Sequence, residues 1–135
     1  MRSAKPSWTS ALVVIDASAV INQLRGGEAA ARIEELTAYG SEDLHAPHAV
    51  DLEVLSALRR FGAREPLADF LDMTIERYPH TLLLPMIWDL RHNFTAYDAA
   101  YVALAEGLEA PLLTSDKSLA RATRKHTGVE VLLAA

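Results

Sequence analysis

Residues 12–18 read LVVIDAS, four aliphatic side chains followed at once by a carboxylate. A run this rich in Val and Ile, with no polar alternation, is the pattern of a strand buried on both faces, as in a parallel sheet. The predicted strand covers 11–17, which leaves Asp16 at the carboxyl end of a buried element. Two explanations fit it. It caps a helix beginning near Ser18, or it belongs to a site in the crevice beyond the strand ends, where open α/β sheets collect ligands.

Working outward, EAAARIEELTAY (28–39) has helical spacing and good helix formers, with Gly40 as its C-cap. DLHAPH (43–48) reads as a short strand, and VDLEVLSALRRF (50–61) as an amphipathic helix stopped by Gly62. Pro66 suits a first helical turn, so a helix is predicted over 66–78, followed by a third strand at TLLL (81–84). Further on, an Ala-rich helix is expected over 96–109, a strand at 112–114, a helix over 117–125 and a last strand over 129–133. Strands alternate with helices and no hairpin joins two strands. The predicted fold is therefore a three-layer α/β/α arrangement around a parallel sheet of four to five strands.

The composition sets bounds on this reading. A chain of 135 residues is the length of one ordinary domain, and 50% hydrophobic with 23% charged residues is a globular balance. The expectation is one domain over 1–135, opening with a loose segment at 1–10. There is no Cys, so disulfides, thiolate metal sites and cysteine nucleophiles are excluded together. MRSAKPSWTS lacks the apolar core of a signal peptide and no window is long enough to span a bilayer, so a cytoplasmic protein with no membrane partner is expected. A net charge of -5 speaks against gripping nucleic acid by bulk electrostatics, unless the acids are gathered and neutralised by metal.

Four acids bear on that condition. Asp116 repeats the arrangement of Asp16, an acid after a strand (LLTSD) and before a helix (KSLARA), where an N-cap also explains it. Asp98 fits a capping box with Thr95. Glu53 is harder to explain by local structure, because it falls three residues after Val50 and four before Ala57, on the apolar stripe of its helix. A carboxylate there costs several kcal/mol, on the order of 2–7, unless it is paired, for instance by a buried Arg, or bound to a cation. The segment after Asp98, AAYVALA, is apolar almost all round, so its helix should press against the sheet and carry Asp98 towards the strand ends. Asp16, Glu53, Asp98 and Asp116 are thus expected to converge on one crevice.

Four anions a few ångströms apart need a proton or a cation between them. Oxygen ligands without Cys, and without His at ligand spacing, suit Mg²⁺ or Mn²⁺ rather than Zn²⁺. The chemistry that follows is metal-assisted phosphodiester hydrolysis by an activated water.

At this point LVVIDASAV, APHAVDLEVLSALRR and FTAYDAAYVALAEGLEAPLLTSDKSLARA resemble the PIN domain, and within it the VapC toxins of bacterial toxin–antitoxin pairs. The resemblance runs from about Leu12 to Leu133, with all four acids in order. It implies a Mg²⁺- or Mn²⁺-dependent endoribonuclease that cuts structured RNA, often tRNA or ribosomal RNA, leaving a 5′-phosphate. It also implies a homodimer and a VapB-like antitoxin whose tail blocks the site. Asp16, Glu53, Asp98 and Asp116 match the family's catalytic and metal-binding acids. Ser18 and Thr114 match small hydroxyl positions that orient ligands or water. The region 62–88 carries no family motif.

To hold RNA, the chain offers Lys117, Arg121, Arg124 and Lys125 at three- and four-residue spacing beside Asp116, with Arg59, Arg60 and Arg91 as further candidates. The five histidines read as ordinary, and Trp8 and Trp88 as packing or interface residues. Three rival readings remain. A haloacid-dehalogenase-like phosphatase with Asp16 as nucleophile needs an acid two residues on, where Ser18 stands. A receiver domain needs paired acids before its Asp. A catalytically inactive PIN fold acting as an RNA- or protein-binding module has no need of all four acids.

Overall fold

A computed structural model describes residues 12–37, 43–60 and 65–135. The segment 1–10, Gly40 and Gly62 lie outside the described residues. The aliphatic run forms strand β1 (Leu12–Ile15), followed by helices α1 (Ala17–Arg25) and α2 (Glu28–Thr37). Gly26 turns the chain between the two helices with φ 77°, a conformation open to glycine at no steric cost. Strand β2 (Asp43–Pro47) leads into α3 (Ala49–Leu58), and α4 (Glu65–Asp72) into β3 (Ile75–Tyr78). A 3₁₀ turn (His80–Leu83), the short α5 (Leu84–Asp89), the long α6 (Ala96–Leu108), β4 (Leu112–Thr114), α7 (Lys117–His126) and β5 (Val131–Leu133) complete the order.

The five strands form one parallel sheet in the order β3-β2-β1-β4-β5, flanked by helices, as the alternating pattern predicts. This is a doubly wound sheet. The chain moves outward from β1 through β2 to β3, then returns to lay β4 on the other side of β1. The strand order therefore reverses between β1 and β4, and the crevice outside their carboxyl ends is the place where such sheets bind ligands. The core is built on β1 and β4, with Val14, Ile15, Leu112 and Leu113 fully buried. In α6 every residue from Ala99 to Ala105 is buried, so the alanines let this helix lie close over the sheet. No helix among the described residues is long and apolar enough to cross a membrane.

Two predicted elements are corrected. The helix expected over 66–78 ends at Asp72, and the third strand is β3, IERY, rather than TLLL. The apolar spacing of Leu67, Phe70 and Leu71 runs on to Ile75, which gives the segment a false helical continuity. What makes it a strand is pairing along β2, Leu44 against Ile75 through Pro47 against Tyr78. Arg77 then anchors the edge: its guanidinium donates to both carboxylate oxygens of Asp51 on α3, at 2.8–3.2 Å. TLLL cannot replace it, because Leu82 faces solvent and Pro85 opens the following helix.

Candidate acidic site

The register of β1 on β4 pairs Ile15 with Leu113, which brings Asp16, the next residue, level with Thr114. Asp16 is buried, at 4% exposure. Its Oδ1 accepts from Ala19 N at 2.9 Å and from Ser18 Oγ at 2.7 Å, and its Oδ2 from Thr114 Oγ1 at 2.6 Å. Both explanations of this residue meet here, since it caps α1 and also lies at the point where the strand order reverses. Thr114 accepts from Asp116 N at 3.0 Å, and Ser18 from Ser115 N at 3.0 Å. Each hydroxyl proton is committed to Asp16, so the 3.3 Å approach of Ser18 to Thr114 is a close contact rather than a third strong bond. The two hydroxyls tie the ends of β1 and β4 together.

Asp116 caps α7: its Oδ1 accepts from Ser118 N and Leu119 N at 2.9 and 3.1 Å. Among the described residues Oδ2 has no hydrogen-bond partner. Asp98 lies in the first turn of α6, whose N-cap Thr95 accepts from Asp98 N at 3.1 Å. Glu53, half-buried on α3, has a partner of a kind not expected for it. Instead of an Arg, the buried Tyr101 of α6 donates its phenolic proton to Glu53 Oε1 at 2.6 Å. The ion pairs of Arg77 with Asp51 and Arg32 with Glu35 involve none of the four acids.

Charge links the four acids pair by pair. Burial, opposed by the hydrogen bonds from Thr114, Ala19 and Ser18, pushes the Asp16 carboxyl up to about 6, with the charge of Asp116 adding to the rise. Burial, then the charge of Asp116, raises Asp98. Burial also raises Glu53 against the bond from Tyr101, and Asp98 adds to it. Tyr101 itself is raised by burial, by Glu53 and by Asp16. The acids thus form a coupled row, Asp16, Asp116, Asp98, Glu53, with the Tyr101 hydroxyl bonded to Glu53 and within the field of Asp16. The expectation of a tight cluster needs correcting on one point. No three His, Asp or Glu side chains among the described residues stand close enough to hold an ion by themselves.

Two hollows flank the row. One of about 460 Å³ is bounded by Arg91, Asn93, Thr95, Asp98 and Ser118. The other, about 350 Å³, lies between α3 and the start of α6, lined by Glu53, Arg60 and Tyr97 among others. Lys117, Arg121, Arg124 and Lys125 are all exposed on α7, as their spacing predicts, although Arg124 also donates to Val131 O at 3.3 Å. Sequence reading missed Tyr101 and Tyr97. The available signal was a tyrosine hydroxyl in an otherwise apolar helix, three residues after Asp98, since a buried phenol needs a partner.

The PIN domain family model matches residues 13–125. Ribonuclease VapC9 of Mycobacterium tuberculosis is 39% identical over 117 residues, covering 80% of this chain and 88% of that protein. Ribonuclease VapC1 of the same organism is 43% identical over 120 residues, covering 81% and 89%. In three dimensions, a toxin–antitoxin complex from Klebsiella pneumoniae contains a chain of the same fold, with TM-score 0.68 and 16% identity over 91% of this chain and 98% of that one. The chain described here belongs to the PIN-domain family, among the relatives of the VapC ribonucleases.

Proposed function

We propose that this protein is a divalent-metal-dependent endoribonuclease, the toxin of a toxin–antitoxin pair, acting on structured RNA such as tRNA or ribosomal RNA. The observation that carries the reading is the coupled row of Asp16, Asp116, Asp98 and Glu53, none of them salt-bridged to a described residue, with Asp16 and Asp116 just beyond β1 and β4 where the strand order reverses. The names of its VapC relatives support the same reading.

The residues fit Mg²⁺ or Mn²⁺. They offer only carboxylate oxygens, and a row too open to enclose an ion suits a cation that takes one or two carboxylates and keeps waters for substrate phosphate. When bound, such an ion lowers the pKa of a water and offsets the charge growing on the phosphate and the leaving oxygen. The protein's own contribution is orientation. Thr114 and Ser18 fix both oxygens of Asp16, so neither rotates as a ligand arrives. Tyr101 fixes one oxygen of Glu53 and leaves Oε2 without a hydrogen bond among the described residues. The N-cap bonds of Asp116 do the same for its Oδ1. Lys117, Arg121, Arg124 and Lys125 provide phosphate contacts on the adjoining helix.

The same row defines the inhibitor. An antitoxin of the VapB kind inserting a guanidinium among these carboxylates would neutralise them without metal. A homodimer is part of the proposal, on the resemblance to the family. The test is to express the protein without its antitoxin and sequence the 5′ ends of cellular RNA. Discrete new 5′ ends in structured RNA are expected, and an unchanged RNA population would refute the activity.

A further inference from the structure

We propose that the hollow between α3 and the start of α6 is a nucleobase subsite, in which the Tyr97 ring stacks on one unpaired base beside the phosphate being cut. The inference rests on the ribonuclease reading and deepens it, because it specifies what the RNA must present at the cut.

Position is the first argument. The hollow shares Glu53 with the acidic row, and Tyr97 is the chain neighbour of Asp98. A nucleotide whose phosphate lies at the row would have its own or the adjoining base within reach of this hollow.

The second is what lines it. Tyr97 is 62% exposed and has no ring contact or hydrogen bond from its side chain among the described residues. The other large exposed aromatic side chain among the described residues, Trp88, is already covered by the Arg91 guanidinium, 4.3 Å from its ring centre. Tyr97 sits in the first turn of a helix capped by Thr95, so its backbone is held and only two side-chain torsions remain to be ordered. Across the hollow, Leu52 is 71% exposed and supplies an apolar surface for the second face of a base.

Charge is the third. Arg60 lines the same hollow as Glu53 yet forms no ion pair with it or with any other described acid. A guanidinium that shares a hollow with Glu53 and pairs with no described acid is available to an incoming phosphate. Ser56, exposed on α3, offers a hydroxyl at the same wall. An open aromatic face, an apolar counter-face and an unpaired cation are the parts from which single-stranded RNA sites are made, and a base in a duplex cannot reach them. A base stacked on Tyr97 has to come from an unpaired nucleotide.

The experiment measures equilibrium binding of two labelled RNAs to the full chain: a single-stranded oligonucleotide of mixed sequence, and one of equal length built from abasic riboses. Tyr97→Ala is expected to weaken binding of the first about tenfold or more and to leave the second unchanged, whereas Tyr97→Phe behaves as wild type. Arg60→Gln is expected to weaken both RNAs alike, as a phosphate contact should. Equal loss on both RNAs for Tyr97→Ala, or no loss on either, overturns the subsite. So does a change in association state of Tyr97→Ala by sedimentation, which would make the hollow a protein–protein surface. If wild type cleaves RNA and Tyr97→Ala is indifferent to bases, only the subsite falls. A wild-type protein that neither binds nor cleaves RNA removes the ribonuclease reading and the subsite together.

Discussion

Thr114 donates its hydroxyl proton to Asp16 Oδ2 at 2.6 Å while accepting from Asp116 N at 3.0 Å, so one side chain orients the first acid and anchors the backbone of the second, each of which follows a different strand. Thr114→Val keeps the branched shape and removes both bonds. Loss of a supporting bond to a metal-ligating group commonly costs 10- to 100-fold, so divalent affinity should fall by about that factor. The Asp116 N–H, left without its acceptor, should cost roughly 1–3 kcal/mol of stability. Calorimetric titration with Mn²⁺ and a urea melt check the two effects separately.

Tyr101 separates packing from positioning in the same way. Its ring belongs to the fully buried core and its hydroxyl reaches Glu53 at 2.6 Å. Tyr101→Phe should lose about 1–2 kcal/mol, the range of one hydrogen bond to a half-buried carboxylate, and should lower kcat more than it raises KM. Tyr101→Ala should lose about 3–5 kcal/mol through the cavity it opens. Equal denaturation midpoints for the two variants would show that the hydroxyl, not the ring, carries the stability.

The pH dependence has a definite sign. Asp16 rises from its ordinary 3.8 to about 6 in the folded protein, so between those values the folded state binds more protons than the unfolded one. Stability of the metal-free protein should then decrease as pH rises from about 4 to about 6, by roughly 3 kcal/mol if Asp16 acted alone. Glu53 and Asp98, also raised, act in the same direction. Melting curves in chelator at pH 5 and pH 7.5 test this: the lower pH should give the higher Tm, and added Mg²⁺ should recover stability at pH 7.5. A metal-free Tm that climbs from pH 5 to 7.5 would contradict it.

How much of this was legible in the sequence depends on how local each determinant is. LVVIDAS announces a doubly buried strand because four consecutive aliphatic residues admit few other environments, and the acid that ends it marks the crevice. β3 was misread because its identity comes from pairing with β2 and from the Arg77–Asp51 ion pair across 26 positions, neither of which the helical spacing before it reveals. The four acids stand out in the sequence because each breaks an apolar pattern or follows a strand. Tyr101 could not, because a tyrosine within AAYVALA reads as core until its partner, 48 residues away, is in place. The spacing of the acids was also beyond sequence: they are coupled in a row, and no three of them close into a cage.

The central claim is that the row of acids performs hydrolysis together with a divalent ion, and Asp98→Asn tests it most directly, since it removes one charge at nearly constant shape. The measurement is cleavage of a labelled structured RNA by wild type and variant, with Mn²⁺ and with excess chelator, on protein shown to melt cooperatively. Cleavage by wild type in Mn²⁺ alone, with the variant reduced by about 10²-fold or more, is the predicted result. Equal cleavage by the two proteins, or cleavage that persists in chelator, would contradict the account.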